Sequence, residues 1–414
     1  MRLAWEIARR YLAPKRGGRF LSFITWISLG GVTVGVTALV VVIAVMTGAQ
    51  EEFQEKILET SPHILVMEYS GALRMANWQP VLDSVRTVEG VVSATPFLLT
   101  KVMIGRADYI QGADLYGVKL TDLGESATGI EERIQSGELT LGDTESGFPP
   151  LLVGNHLADR LLIFPGDTLQ VMAVENLRED PFGGLFPKIR MFEVTGTFST
   201  GLYDYDMGNL YARIEDVQDI LDVLESDQIS GLGIKTTEPW EADAVAQAID
   251  TTLGFPYYAQ SWTVTNRELF SALALEKLAM ALILSLIVLV AAFNIVSTLV
   301  MVVVERTSEI GILKSMGMTD HSILRVFVIQ GLWIGIIGAT VGTLLGGGLC
   351  WVLDTYEIIK LDPSVYFVDR LPVALHAFDL ILIYLMTVAV AFAATIYPAL
   401  QASRLQPVEA IRHE

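Results

Sequence analysis

Four apolar, uncharged stretches punctuate the chain at roughly 21–50, 278–304, 326–353 and 380–403, and a polar block at 51–277 separates the first from the second. A helix rising about 1.5 Å per residue needs about 20 apolar residues to cross a bilayer, and each stretch supplies them. The pattern predicts a helical membrane protein with four transmembrane helices and one large α+β extracytoplasmic domain. Segments 305–325 and 354–379 are its short loops, with 1–20 and 404–414 as amphipathic N-terminal segment and tail.

Inside 51–277 the periodicity changes. Residues 51–58 continue the first span as a charged helix with Phe53, Ile57 and Leu58 on one face. Alternating runs at 63–67, 91–96, 101–105 and 109–112, bounded by Gly, Pro and Asp, predict strands. Helical patterns at 80–88, 129–136, 156–162, 214–224 and 241–253 interrupt them, and the Gly-, Asp- and Pro-rich stretch 138–150 divides the domain into two lobes. Two more strands, 168–174 and 189–198, flank the segment 175–188, far longer than the two residues or so that close a hairpin. Asp180-Pro181 followed by Gly183-Gly184 sets a turn, which leaves Phe182, Leu185, Phe186 and Pro187 near the tip of an arm. Apolar side chains rimmed by charge suit docking to another protein. An arm folded back on its own lobe would bury them instead, and composition supports both readings.

The third span carries Gly331, Gly335, Gly338, Gly342 and Gly346 on one helix face, and Gly31 and Gly35 repeat the pattern in the first. Lipid tails give no hydrophobic drive between helices, so such ridges predict backbone-close helix packing rather than a ligand site. In the loop 305–325, residues 309–316 predict a short helix with Ser308 as N-cap and Gly317 at its stop. Ile310, Leu313 and Lys314 would then form a plug for a cleft on a partner. An interfacial helix lying on lipid headgroups is the alternative.

Composition fits: 52% hydrophobic residues and a mean hydropathy of +0.47 are too apolar for one soluble core. Charge sets the orientation. Arg2, Arg9, Arg10, Lys15, Arg16 and Arg19 precede the first span against one acid, Glu6. Basic flanks stay in the cytoplasm, so both termini and 305–325 lie inside, and 51–277 with 354–379 lies outside. The outer block holds 15 basic and 36 acidic residues, more than the whole net charge of −19. Reading the first span as a cleaved signal peptide fails on length, since its apolar run is about twice an h-region.

Chemistry is sparse. Cys350, the single cysteine, lies in the third span, which excludes an internal disulfide. The five histidines are scattered, and no phosphate-binding loop, zinc motif or nucleophile elbow occurs. No metal site, no catalytic residue and no bound cofactor is expected. Asn294, Ser297 and Thr298 stand as the polar groups of the spans, without an ionisable side chain at depth to relay ions.

Several strings resemble the permease subunits of lipoprotein-releasing ABC transporters, of the LolC/LolE type, within the wider group of macrolide-exporter and cell-division permeases. They are Arg10-Tyr11-Leu12, Met46-Thr47-Gly48, Phe293-Asn294-Ile295-Val296-Ser297-Thr298-Leu299-Val300-Met301, Glu309-Ile310-Gly311-Ile312-Leu313-Lys314, Tyr366-Phe367-Val368-Asp369-Arg370-Leu371-Pro372, and Tyr397-Pro398-Ala399 with Ala402-Ser403-Arg404. The resemblance implies an inner-membrane subunit paired with a second permease, homologous or identical, and with two cytoplasmic ATPases that hold ATP and Mg. It implies that Glu309 to Lys314 form the coupling helix, and that the arm, with Pro181, Phe182, Gly183, Leu185, Phe186 and Pro187, stands where the family's hook captures a periplasmic lipoprotein carrier. Here the tip departs from the hook's wording. Acylated lipoproteins would enter from membrane lipids into an apolar cavity lined by Val42, Ile43, Met46, Leu273 and Met280. A permease that controls a cell-wall hydrolase shares the four-span plan, but its outer domain is usually shorter. A membrane receptor or scaffold would leave the coupling loop unexplained. Nucleic acid is not an expected partner.

Overall fold

A computed structural model of the chain describes residues 19–70, 74–106, 109–119, 133–137, 141–142, 144, 146–175, 177–179, 185–223, 227–356 and 371–406. They form two compact units: a membrane unit from 19–51, 272–356 and 371–406, and an extracytoplasmic unit from 52–271.

Five helices organise the first unit. They are α1 (Arg19–Thr60, whose last turns enter the second unit), α2 (Arg267–Glu305, whose first turn begins there), α3 (Thr307–Ser315), α4 (Asp320–Tyr356) and α5 (Ala377–Ser403). All except α3 are long and apolar enough to span a bilayer. The first two run well past the predicted spans: the charged continuation at 51–58 is unbroken helix, and α2 likewise begins at Arg267, before its apolar stretch.

The glycine face of α4 divides its work. A Cβ on Gly331 or Gly335 would strike Thr395 or Ala391 of α5, whereas one on Gly338, Gly342 or Gly346 would strike Val32, Val36 or Val40 of α1. One ridge therefore seats two helices at backbone distance, with the change of partner between Gly335 and Gly338. On α1, a Cβ at Gly31 would meet the Asn294 amide of α2, while Gly35 has the looser neighbour Ile287 at 3.8 Å. Gly48 explains one of the motif strings: its missing side chain leaves room for the backbone at Pro372 and Ala374, both under 3.0 Å from a built Cβ, and the Ala374 amide donates to the Ala44 carbonyl at 2.9 Å. Residues 357–370, including most of the Tyr366 to Pro372 string, lie outside the described residues. The spans also bury Ser28, Gln330 and Thr395, polar groups that the sequence reading passed over beside Asn294, Ser297 and Thr298.

The second unit is built on one ten-stranded sheet. Its strands are β1 (Ile64–Glu68), β2 (Val91–Arg106), β3 (Tyr109–Val118), β4 (Ile134–Gly137), β5 (Pro150–Gly154), β6 (Thr168–Ala173), β9 (Ile189–Phe198), β10 (Asn209–Arg213), β11 (Gly231–Thr236) and β12 (Tyr257–Ser261), with β7 (Arg178–Glu179) and β8 (Leu185–Phe186) as a separate ribbon. The order is β12-β1-β11-β2-β3-β10-β5-β9-β4. Because β6 pairs with both β2 and β9, the six strands β2, β3, β10, β5, β9 and β6 close a ring. Alternate residues such as Val102, Leu115, Leu210, Val153, Val171 and Val194 fill a shared core. The first and last strands lie side by side, with Ile64 opposite Ser261.

The α+β class stands, with three revisions. The predicted strands at 91–96 and 101–105 are one sixteen-residue strand. A helix expected at 129–136 gives way, over its described part, to β4 on the sheet edge. The lobe boundary at 138–150 does not divide the sheet, since β4 before it and β5 after it both pair with β9. Helices at Trp78–Arg86, Asn155–Leu161, Ile214–Ile220 and Ala242–Leu253 fall where the 3.6-residue period placed them.

Candidate functional site

Three features of the chain are candidates for function: the arm, the short helix α3, and the exposed apolar face of α2. The arm grows from the β6–β9 hairpin, in which Met172 lies opposite Ile189. It continues as the ribbon β7–β8, with Arg178 opposite Phe186 and Glu179 opposite Leu185. Ion pairs hold its root on both sides. Glu175 meets Arg74 at 2.6 Å, and Lys188 meets Asp222 at 2.7 Å. Beyond these anchors Leu177 is 43% exposed and Phe186 57% exposed, so the arm does not fold Phe186 back into its own domain. Pro187 is half-buried; Pro181, Phe182 and Gly183 lie outside the described residues, as does the environment of Leu185.

Helix α3 begins two residues before the predicted start, at Thr307, with Arg306 in place of Ser308 as N-cap, and the left-handed Gly317 (φ +97°) follows its end. The expected plug is reversed in part. Ile310 is buried among Val302, Val303, Ile323, Phe327, Ala399 and Ala402, and Gly311 is buried beside it. Burial of Ile310 follows from the apolar ends of α2, α4 and α5 that converge there, a non-local fact. Lys314 also turns inward and bonds within the chain. The apolar surface offered here is Ile312 of α3 (50% exposed) and Met316 just past its end (79%), with Leu313 and Glu309 half-buried and Glu309 paired to Arg306.

The five residues expected to line an acyl cavity, Val42, Ile43, Met46, Leu273 and Met280, are all half-buried. Ile43 packs against the buried core of the helices. One cavity between the helices lies elsewhere and is small, about 30 Å³, between Val32, Gly35, Leu39, Ile287, Ala291 and Thr387. The membrane unit leaves Leu278, Leu282, Leu286, Leu289 and Phe293 of α2 bare, each at least half exposed.

The extracytoplasmic unit holds a larger cavity of about 550 Å³. Phe97, Leu99 and Lys101 of β2 line it, while the alternating Leu98 and Val102 enter the core. Its cations are largely answered: Arg74 by Glu175, and Lys101 by Asp114 at 3.2 Å. Burial pushes the Tyr116 and Tyr211 hydroxyls well above the ordinary phenol value, so both line it as neutral groups. Among the described residues no cluster of His, Cys, Asp or Glu is arranged to hold a metal ion.

The model of the FtsX-like permease C-terminal domain matches residues 281–407, and that of the MacB-like periplasmic core domain matches residues 25–252. The lipoprotein-releasing system transmembrane protein LolC of Xylella fastidiosa is 32% identical over 420 aligned positions, covering 100% of this chain and 99% of its own. LolE of Haemophilus influenzae is 25% identical, covering 99% of each. The periplasmic region of MacB from Actinobacillus actinomycetemcomitans is 13% identical, covers 53% of this chain and 97% of its own, and superposes with a TM-score of 0.33.

Proposed function

The chain belongs to the family of lipoprotein-releasing ABC permeases, and on that footing we propose that it draws acylated lipoproteins from the outer leaflet of the inner membrane and passes them to a periplasmic carrier. As a permease subunit it is not itself a catalyst, and it works beside a partner permease and an ATPase. The observation that carries the reading is identity of 32% sustained over the whole chain, domain and spans alike, with a protein named for lipoprotein release.

The task is energetically severe. Each CH₂ of an acyl chain is held by about 0.8 kcal/mol, so a triacyl anchor is retained by tens of kcal/mol. Extraction therefore needs an apolar relay and a fuel. The relay is the bare α2 face with Leu278, Leu282 and Leu286, joined by Val42, Ile43, Met46, Leu273 and Met280, and closed by the corresponding surface of a second permease, homologous or identical. Fuel enters through α3, where Ile312 and Met316 seat in one of two cytoplasmic ATPases, which bind the ATP and Mg. The arm, with Leu177 and Phe186 exposed beyond its ion-paired root, receives the carrier on the periplasmic side.

Reconstitution tests the whole scheme. The complex is placed in vesicles with a triacylated lipoprotein, and transfer to a soluble carrier is followed with ATP. Ile312→Asp combined with Met316→Asp is expected to abolish transfer and ATPase capture while the domain stays folded. Transfer at the wild-type rate would remove the coupling role, and a complex that carries a cell-wall hydrolase but no acylated protein would replace the reading with the hydrolase-controlling one.

A further inference from the structure

Lys314 occupies the last turn of α3, and its side chain is only 10% exposed. An ammonium group has three donors. Here each has an acceptor: the Ser403 carbonyl at 2.6 Å, the Leu405 carbonyl at 2.8 Å and the Asp320 carboxylate at 2.7 Å. The acceptors come from two other helices. Ser403 ends α5 and Leu405 lies just beyond it, while Asp320 is the first residue of α4. The placement is electrostatically matched, because a cation is favoured where a helix presents its terminal carbonyls and an acid where a helix begins.

The rest of the α3 seat is of another kind. Ile310 rests on aliphatic side chains from α2, α4 and α5. Apolar contact is non-directional, so by itself it leaves the short helix free to roll or slide when pushed. Three charge-assisted bonds from one nitrogen remove that freedom, since each fails once the donor moves by much more than about 0.5 Å.

We propose that Lys314 is the positioning residue of the coupling helix. It locks α3 to the ends of α4 and α5, so that a displacement of α3 reaches the third and fourth spans instead of being absorbed at the apolar seat. This rests on α3 being the ATPase contact, and it replaces the expectation that Lys314 itself reaches the ATPase: all three of its donors are already used within the chain.

The experiment uses the full complex in vesicles, with three readouts: ATPase co-purified, the ratio of ATP hydrolysis with and without a triacylated lipoprotein, and lipoprotein transfer. Lys314→Met is expected to keep co-purification and basal hydrolysis within about twofold while the stimulation ratio and transfer fall about tenfold, the size of a lost coupling between sites. Lys314→Arg restores most of the ratio, because a guanidinium can still donate to the same oxygens. Should Lys314→Met assemble poorly, Asp320→Asn removes one partner only and is expected to lower the ratio by about threefold. A wild-type ratio in the assembled variant overturns the proposal. So does loss of the ATPase from Lys314→Met as complete as that from the double variant Ile312→Asp with Met316→Asp, which would make Lys314 a direct contact and leave the coupling helix itself standing. If that double variant retains both ATPase and transfer, the reading of α3 falls first.

Discussion

Replacing Gly342 with alanine probes the contact that joins the first and third spans. A Cβ at this position would stand 2.7 Å from Val36 Cβ, 2.9 Å from Val36 Cγ1 and 2.8 Å from the Thr33 carbonyl oxygen. Carbon atoms rest at about 3.5–4.0 Å, so the two helices have to part by close to 1 Å. Rotating Val36 gives no escape, because its Cβ and the Thr33 oxygen are fixed to the backbone. Separation also stretches the bond from the Thr37 hydroxyl to the Gly342 carbonyl, already 3.2 Å, and loosens the flanking contacts of Gly338 and Gly346. Overpacking of this kind costs about 1–3 kcal/mol, and the gain in helix propensity returns about 0.5–1 kcal/mol of it. Gly347 is the control, since nothing lies within 4 Å of a Cβ there. Unfolding of the full chain in mild detergent, followed by tryptophan fluorescence, is expected to place Gly342→Ala about 1–3 kcal/mol below Gly347→Ala. Equal stability of the two variants would refute the idea that this glycine face holds the helices together.

Phe186→Ser should weaken capture of the periplasmic carrier severalfold in a pull-down while shifting the unfolding midpoint little, because an exposed side chain contributes within about 0.5 kcal/mol; a large stability loss would show that Phe186 is core. Asp206, fully buried, accepts from the Thr200 amide and hydroxyl, the Ser199 hydroxyl and the Gly201 amide. Asp206→Ala takes away the shared acceptor, leaving the Thr200 hydroxyl a long contact of 3.5 Å to the Leu202 carbonyl; it should cost about 3 kcal/mol or more in thermal unfolding, and a cost below about 1 kcal/mol would contradict the network. His63 is buried with Nδ1 accepting the Thr236 amide at 3.0 Å, and burial, then the Lys235 charge, holds its pKa below 6.5. The folded state thus binds fewer protons than the unfolded one, so this contribution is whole above about 6.5 and is lost as pH falls below that value toward the lowered folded pKa. Stability measured across that window should decline in the native chain and decline less in His63→Gln; identical slopes would assign the effect to other groups.

Much of this was legible from residue spacing, and the parts that were not share a cause. Spans, the glycine ridge and the domain helices other than the one expected at 129–136 are local patterns, and they appear where the 3.6-residue period put them. The division of that ridge between two partners is not local, because nothing in Gly335 or Gly338 says which neighbour approaches. In β2, Pro96 suggested a break, yet it lies opposite Leu232 within a continuous strand. The parallel pairings of β3 with β10 and β5 with β9 join segments far apart in sequence and left no periodic trace. Lys314 misled for the same reason: spacing on a short helix groups it with Ile310 and Leu313 as a plug for a partner, but its carbonyl partners come 89 and 91 residues later in the same chain.

The pairing of Ile64 with Ser261 makes the outer domain a cassette. Its entry and exit are zipped together by neighbouring strands, whose spacing is about 4.8 Å whatever sequence lies between them. A domain transplanted from a relative between these two points would begin and end at the same gauge, provided it preserves that one seam. Chimeras cut there can therefore exchange everything between the two strands while the seam itself stays as it is. Cuts made inside the ring of six strands would forfeit this freedom.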